Sequence, residues 1–182
     1  MVQVVLSGFG GQGVITAGQI LGRAVAVNEG RNAVMAQSYG PESRGGACRA
    51  EVILADGDIA YPRVVAADVV VTLSQEAYRL HGKTRPKSCV LIAEEDLVEL
   101  DAETERDRVV LRVPSTRLAE SLGRKVVQNI VVLGFLCGAT GIVDADALRQ
   151  AIKESVPKGT EALNLRAFEA GHAHALAHER VS

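Results

Sequence analysis

Tryptophan is missing from this 182-residue chain, and phenylalanine and tyrosine occur only three times each. Large rings therefore cannot fill the interior. With 47% apolar residues, the core has to be assembled from Val, Leu, Ile and Ala, which suits a buried sheet covered by helices. An excess of either charge is missing too: 20 basic residues face 22 acidic ones, the net charge is −2, and the signs are interspersed. A broad nucleic-acid surface, which needs a basic excess on one face, is disfavoured. Cysteine is scarce, and Cys48, Cys89 and Cys137 stand far apart. They form neither a disulfide framework nor the paired spacing of a zinc or iron–sulfur site, so a reduced, cytoplasmic protein is expected. Long hydrophobic runs are absent as well. The most apolar stretch, "VVQNIVVLGFLCGA" (126–139), is too short to span a bilayer and carries Gln128 and Asn129. The opening "MVQVVLSG" has no basic and apolar regions of the kind a signal peptide needs.

The elements that are present alternate. Residues 2–7 read as a β-branched central strand ending in glycine, and Ala17, Ile20, Leu21, Ala24 and Val25 then recur at helical spacing up to a stop at Gly30. Gly18 and Gly22, one turn apart, suggest that this helix lies close to a sheet. "NAVMAQS" (32–38) completes a β-α-β opening. "CRAEVILADGDIAYP" (48–62) places two extended runs around Asp56-Gly57 and predicts a hairpin there. Further strands are expected over 67–74, 88–95 and 108–114, with a short helix between the first two. The acidic and basic run Asp101–Arg108 reads as a solvated loop. Ser115 is a candidate cap for a helix running toward Gly123, and an apolar helix starts near Val126. Asp144 and Asp146 mark another helix start ahead of Leu148, Ile152 and Val156, and a last helix from about Thr160 carries Leu163, Ala167 and Ala170. The expected fold is α/β: one Rossmann-like domain over 1–182, an open and mostly parallel sheet with a β-hairpin insertion and a helical C-terminal part.

Within "LSGFGGQGVITAGQIL" (6–21), Gly8, Gly10 and Gly13 spell G-x-G-x-x-G between a strand and a helix. Such a turn aims free backbone N–H groups and a positive helix end at an anion. A dinucleotide site needs one more part, an acid at the end of the second strand for the ribose hydroxyls. Gln37, Ser38 and Tyr39 stand there instead; Glu29 falls too early and Glu42 too late. Gly11 and Gln12 make the turn denser in glycine than that fingerprint requires. Gly8, Gly10, Gly11, Gln12, Gly13 and Thr16 are therefore the candidate anion-binding residues, the plain alternative being a tight turn whose glycines only pack. A second loop, "YGPESRGG", holds Tyr39, Gly40, Pro41, Glu42, Ser43, Arg44, Gly45 and Gly46, with Arg49 nearby. Pro41 and the glycine pair preset two bends. Both loops follow strand C-termini, so they are expected side by side at one rim of the sheet.

These two stretches, "GFGGQGVITAGQIL" and "AQSYGPESRGGACRAEV", closely resemble the γ subunit, or γ domain, of the 2-oxoacid:ferredoxin oxidoreductases. The pyruvate, 2-oxoglutarate, branched-chain 2-oxoacid and indolepyruvate enzymes make up that family. "ADVVVTLSQEAY", "NIVVLGFLCGATGIV" and "LNLRAFEAG" extend the likeness over nearly the whole chain. The resemblance implies a subunit of an enzyme that decarboxylates a 2-oxoacid oxidatively on thiamine diphosphate. Electrons pass through iron–sulfur clusters to ferredoxin, and the acyl group passes to coenzyme A. It implies α and β partner subunits, with a ferredoxin-like δ subunit in some assemblies. Thiamine diphosphate and the clusters belong to those partners. The resemblance further implies that this chain takes part in subunit packing, for which residues 39–46 are the candidates, and in the coenzyme A site, for which the first glycine turn is the candidate.

The residues themselves agree by what they lack. No side chain supplies an electron sink for a carbanion, no metal site and no catalytic residue are assigned, and no cofactor is expected on the chain alone. His174 and His178, one helical turn apart, read as a solvated face rather than as metal ligands. Gly57-Asp58 reads as a turn. Of the acids in the family 2-oxoglutarate is the first expectation. Two other readings stay open: an independent NAD-type oxidoreductase, and an interaction subunit with a purely structural role.

Overall fold

The computed structural model of the chain describes residues 1–39, 47–83 and 86–178. Six strands are present: β1 (Val2–Phe9), β2 (Asn32–Tyr39), β3 (Ala47–Ala55), β4 (Val69–Thr72), β5 (Val90–Glu94) and β6 (Val110–Val113). The helices are α1 (Val14–Arg23), α2 (Gln75–Ala77), α3 (Ala102–Asp107), α4 (Ser115–Ser121), α5 (Gln128–Thr140), α6 (Ala145–Ser155) and α7 (Glu161–His178). Helices α1 and α2 continue into π-type turns at Ala24–Asn28 and Tyr78–Gly82, and a 3-10 turn at Lys125–Val127 precedes α5.

The strands form one sheet in the order β2-β3-β1-β4-β5-β6. Strand β3 is antiparallel to both β1 and β2, while β1, β4, β5 and β6 pair in parallel. The expected open, mostly parallel sheet is therefore present, and so is its antiparallel insertion. The hairpin is located differently from the sequence reading, however. Residues 58–61 form no strand; β3 instead pairs back onto β2, with Tyr39 opposite Cys48. Asp56-Gly57 is a strong hairpin signal only when a second strand finds an edge to join, and both edges of β3 are already taken by β1 and β2.

One sheet face carries the larger core. Val4 and Leu6 of β1, Ala50 and Val52 of β3, and Val69 and Val71 of β4 pack beneath α1, α4 and α5. Val5, Val70, Leu91 and Ala93 point to the other face, under Tyr78 and Val98. This alternation follows from the two-residue period of a strand. Gly18 lets α1 lie on β3, because a Cβ there would sit 2.7 Å from that of Ala50; at Gly22 nothing stands within 4 Å. Helix α5 is buried on every side, and α7 packs against it backbone to backbone. A Cβ on Gly134 would overlap the Phe168 carbonyl, and one on Gly171 the Val131 carbonyl.

The charged run near residue 101 is not the loop expected. Asp101 caps α3 by accepting from the Thr104 N–H at 2.9 Å, and takes a hydrogen bond from the Tyr78 hydroxyl at 2.6 Å. Lys83 lies 3.3 Å away. The Tyr78 hydroxyl, then the Thr104 N–H, hold the Asp101 carboxyl well below the usual carboxylate range. All three cysteines are buried, as core residues should be. Burial, with Asp144 adding to it, pushes the Cys137 thiol up to about 11.

Three outcomes are expected in thermal unfolding. Gly171→Ala drives a methyl into a backbone carbonyl and should cost about 3 kcal/mol, the upper range for overpacking. Gly22→Ala, in an uncrowded helical position, should be neutral or add up to about 1 kcal/mol. Asp101 contributes stability above its unfolded pKa of about 4, and loses it as pH falls toward the depressed folded value. Asp101→Asn should therefore lower Tm near neutrality, with the gap to the parent chain closing in acid.

Candidate functional site

Strand β1 runs out at Phe9, and the chain turns into α1 through the five residues 9–13. The Gln12 N–H donates to the Phe9 carbonyl at 3.1 Å. The Gln12 side chain closes the turn a second time: its Oε1 accepts from the Phe9 N–H at 2.7 Å and its Nε2 donates to the Leu73 carbonyl at 2.8 Å. Gly8 is what makes room for it, since a Cβ there would sit 2.5 Å from Gln12 Oε1. Gln12, read from the sequence as an anion ligand, thus spends its amide on clamping the turn to the end of β4. Gly8 belongs to that clamp as well.

The open side of the turn is formed by Gly11 and Gly13. Both have positive φ, 100° and 70°, a conformation that glycine adopts without cost. Gly13 stands at the N-cap of α1, where no side chain caps the helix. The first-turn N–H groups have no intrahelical acceptor, and they carry the positive end of the α1 dipole. Asn129, at the start of α5, presses on Gly13: its Nδ2 donates to the Gly13 carbonyl at 3.3 Å, and a Cβ on Gly13 would meet that nitrogen at 2.6 Å.

A groove of about 450 Å³ opens from this turn. Gly11, Gly13 and Thr16 form one wall; Arg124, Val126, Asn129 and Ile130 form the second; Pro157, Gly159, Thr160, Leu163 and Asn164 form the third. The first turns of α1, α5 and α7 all contribute; the starts of α1 and α5 bring positive ends, while Glu161 in the first turn of α7 accepts from the Gly159 N–H at 2.7 Å and offsets the third. Helix α6 presents one end of opposite sign at Ser155. Arg124 is exposed and makes no ion pair among the described residues, whereas its neighbour Lys125 is engaged by Glu120 at 2.7 Å. The balance favours an anion. Val126, Val127, Val156 and Leu163 give the rest of the groove an apolar lining suited to an organic tail. Arg124, Asn129 and the 155–164 segment were missed from the sequence, because nothing local joins them to the glycine turn.

Gly40 to Gly46 lie outside the described residues. The backbone flanking them is placed: Phe9 pairs with Ala47, Gly8 with Cys48, and Cys48 with Tyr39. Both ends of that segment therefore stand at the rim where the glycine turn sits. Strand β3 also bears on the dinucleotide reading. It separates β2 from β1, so the end of β2 is two strand spacings, roughly 10 Å, from the glycine turn, and it offers Gln37 and Ser38 rather than an acid. Glu29 is occupied elsewhere, pairing with Arg31 at 2.8 Å and accepting from the Asp144 N–H at 2.5 Å. Among the described residues no group of three or more His, Cys, Asp or Glu is placed to hold a metal. His174 packs near Phe135, with ring centroids 6.0 Å apart.

Gln12→Ala should cost about 1–3 kcal/mol by leaving the Phe9 N–H and Leu73 carbonyl without their partner. Gly11→Ala should instead leave folding nearly intact apart from about 1 kcal/mol of φ strain. Chemical denaturation of the two variants checks the division of labour inside one turn.

Comparisons with known proteins bear on the family and the fold. Residues 3–174 match the pyruvate ferredoxin/flavodoxin oxidoreductase family. The 2-oxoglutarate synthase subunit KorC of Methanocaldococcus jannaschii is 46% identical, over 93% of this chain and 91% of its own length. KorC of Methanothermobacter thermautotrophicus is also 46% identical, over 93% and 92%. The solved gamma subunit of a keto/oxoacid ferredoxin oxidoreductase from Geobacter sulfurreducens is 35% identical, with a TM-score of 0.85 across 97% of this chain and 99% of that one. A 2-oxoglutarate:ferredoxin oxidoreductase from Magnetococcus marinus, solved with 2-oxoglutarate, coenzyme A and succinyl-CoA bound, has the same fold (TM-score 0.88, 20% identity) over 33% of its chain. Full-length identity to KorC and full-length superposition on a solved gamma subunit lead to one conclusion: the chain belongs to the pyruvate ferredoxin/flavodoxin oxidoreductase family, as a γ-type subunit of a 2-oxoacid:ferredoxin oxidoreductase.

Proposed function

We propose that the complex this subunit serves acts on 2-oxoglutarate, and that the groove beside the glycine turn holds the phosphate-bearing part of coenzyme A. The acid is supported by the names of the KorC relatives. The coenzyme A reading rests on one observation, the uncapped N-terminus of α1 opening into a groove walled by two further helix starts and the unpaired Arg124. Fixed N–H groups and a guanidinium suit a diphosphate, and the apolar lining suits the chain beyond it.

In the reaction the C1–C2 bond of the acid breaks, CO₂ leaves, two electrons go to ferredoxin and the acyl group ends on the coenzyme A thiol. Thiamine diphosphate supplies the electron sink and iron–sulfur clusters carry the electrons, all of them in partner subunits. This chain contributes binding and placement. The exposed Phe9, paired through its backbone with Ala47 at the rim, faces the thiamine-binding α and β subunits, and residues 39–46 are assigned to the same contact from their sequence. The complex is a cytoplasmic hetero-oligomer; no helix among the described residues is long and apolar enough to cross a membrane.

The chain purified alone should show no 2-oxoglutarate-dependent ferredoxin reduction, and its partner subunits should restore it. In the assembled enzyme Arg124→Glu should lower kcat/KM for coenzyme A by about tenfold or more, the loss expected of a charge-assisted contact. An unchanged dependence on coenzyme A would assign the groove a different occupant.

A further inference from the structure

Strand β5 ends on Glu94, a carboxylate with 0% exposure and no cation against it among the described residues. Its Oε2 accepts from the N–H groups of Asp96 and Leu97 at 2.7 and 2.8 Å. Its Oε1 accepts from the Thr116 N–H at 3.0 Å and the Ser115 hydroxyl at 3.4 Å. Helix α4 begins after Pro114, which provides no side-chain cap. Glu94 supplies that cap from the neighbouring strand, and N–H donors replace the water its charge has lost.

The chain of hydrogen bonds continues past α4. Gln128, the first residue of α5, donates its amide to the Ser115 hydroxyl at 3.0 Å and to the Thr116 hydroxyl at 3.1 Å. Amide, hydroxyl and carboxylate are thus aligned in one donor direction, an arrangement in which each bond polarises the next. Between Thr116 and Gln128 the chain makes an excursion. It runs along α4, reverses at Gly123 with φ 83°, and passes Arg124 before the 3-10 turn. The Gln128 amide closes this excursion at its base, and the tip carries Arg124 and Val126 into the groove. The next residue, Asn129, is the one that touches Gly13.

We propose that Gln128, anchored through Ser115 and Thr116 to the buried Glu94, is a positioning residue for anion binding: it sets where Arg124 stands over the groove. The proposal rests on the groove being an anion site. A side chain that merely stabilised the fold would lower Tm without caring whether Arg124 were present.

A double-mutant cycle separates the two. Calorimetric titration of the full chain with inorganic pyrophosphate, and with coenzyme A in parallel, is compared for the parent, Gln128→Ala, Arg124→Ala and the double variant. Gln128→Ala should weaken binding by about tenfold when Arg124 is present and by less than about twofold when it is absent. Equal losses in both backgrounds, or no loss in either, would overturn the positioning role while leaving the groove as an anion site. A parent chain that binds neither probe would remove the anion site and this inference with it. If Gln128→Ala does not fold, Thr116→Val takes its place: it removes one acceptor at nearly constant volume, and should show the same dependence on Arg124 at smaller amplitude.

Discussion

The contact on which the rest of the molecule depends is the one between α5 and α7, where backbone meets backbone. Gly134 and Gly138 on one helix and Gly171 on the other leave no room for a Cβ. Interiors packed at crystal density transmit such a constraint instead of absorbing it. With α5 seated there, its first turn is delivered to the glycine turn through Asn129. With α7 held against it, Thr160 and Asn164 become the opposite wall of the groove. The groove is thus a consequence of how two buried helices pack, more than of any residue inside it.

The glycine turn itself divides into two halves with different duties. Gly8 and Gln12 lock it to Leu73 at the end of β4. Gly11 and Gly13 face outward with left-handed backbone and leave a helix end bare. A dinucleotide fold uses the same spacing of glycines with the second strand next door. Here β3 occupies that place. The insertion does two things at once: it takes away the neighbour a ribose would need, and it brings residues 39 and 47 to the rim beside the turn.

Much of this was legible in the sequence. The six strands, the long apolar helix and the helix starts at Asp144 and Thr160 follow from periodicity and capping, and the structure places them within a few residues of the reading. Local signals failed where pairing is non-local. Asp56-Gly57 looks like a hairpin, yet nothing near it records that β2 will claim the free edge of β3. Asp101 looked like part of a solvated run because its partners, Tyr78 and Lys83, lie about twenty residues away in the chain. The same limit applies to the site. The turn announced itself, but the structural duty of the Gln12 side chain did not, since its amide bonds a carbonyl 61 residues onward. Arg124 gave no signal at all.

Three thiols lie in this chain and all of them are buried. Burial raises the proton affinity of Cys48 and Cys137, and the thiolate is the form that attacks oxidants, metals and disulfides. Seated in the core with their protons held more tightly, Cys48 and Cys137 are packing residues first and weak nucleophiles second.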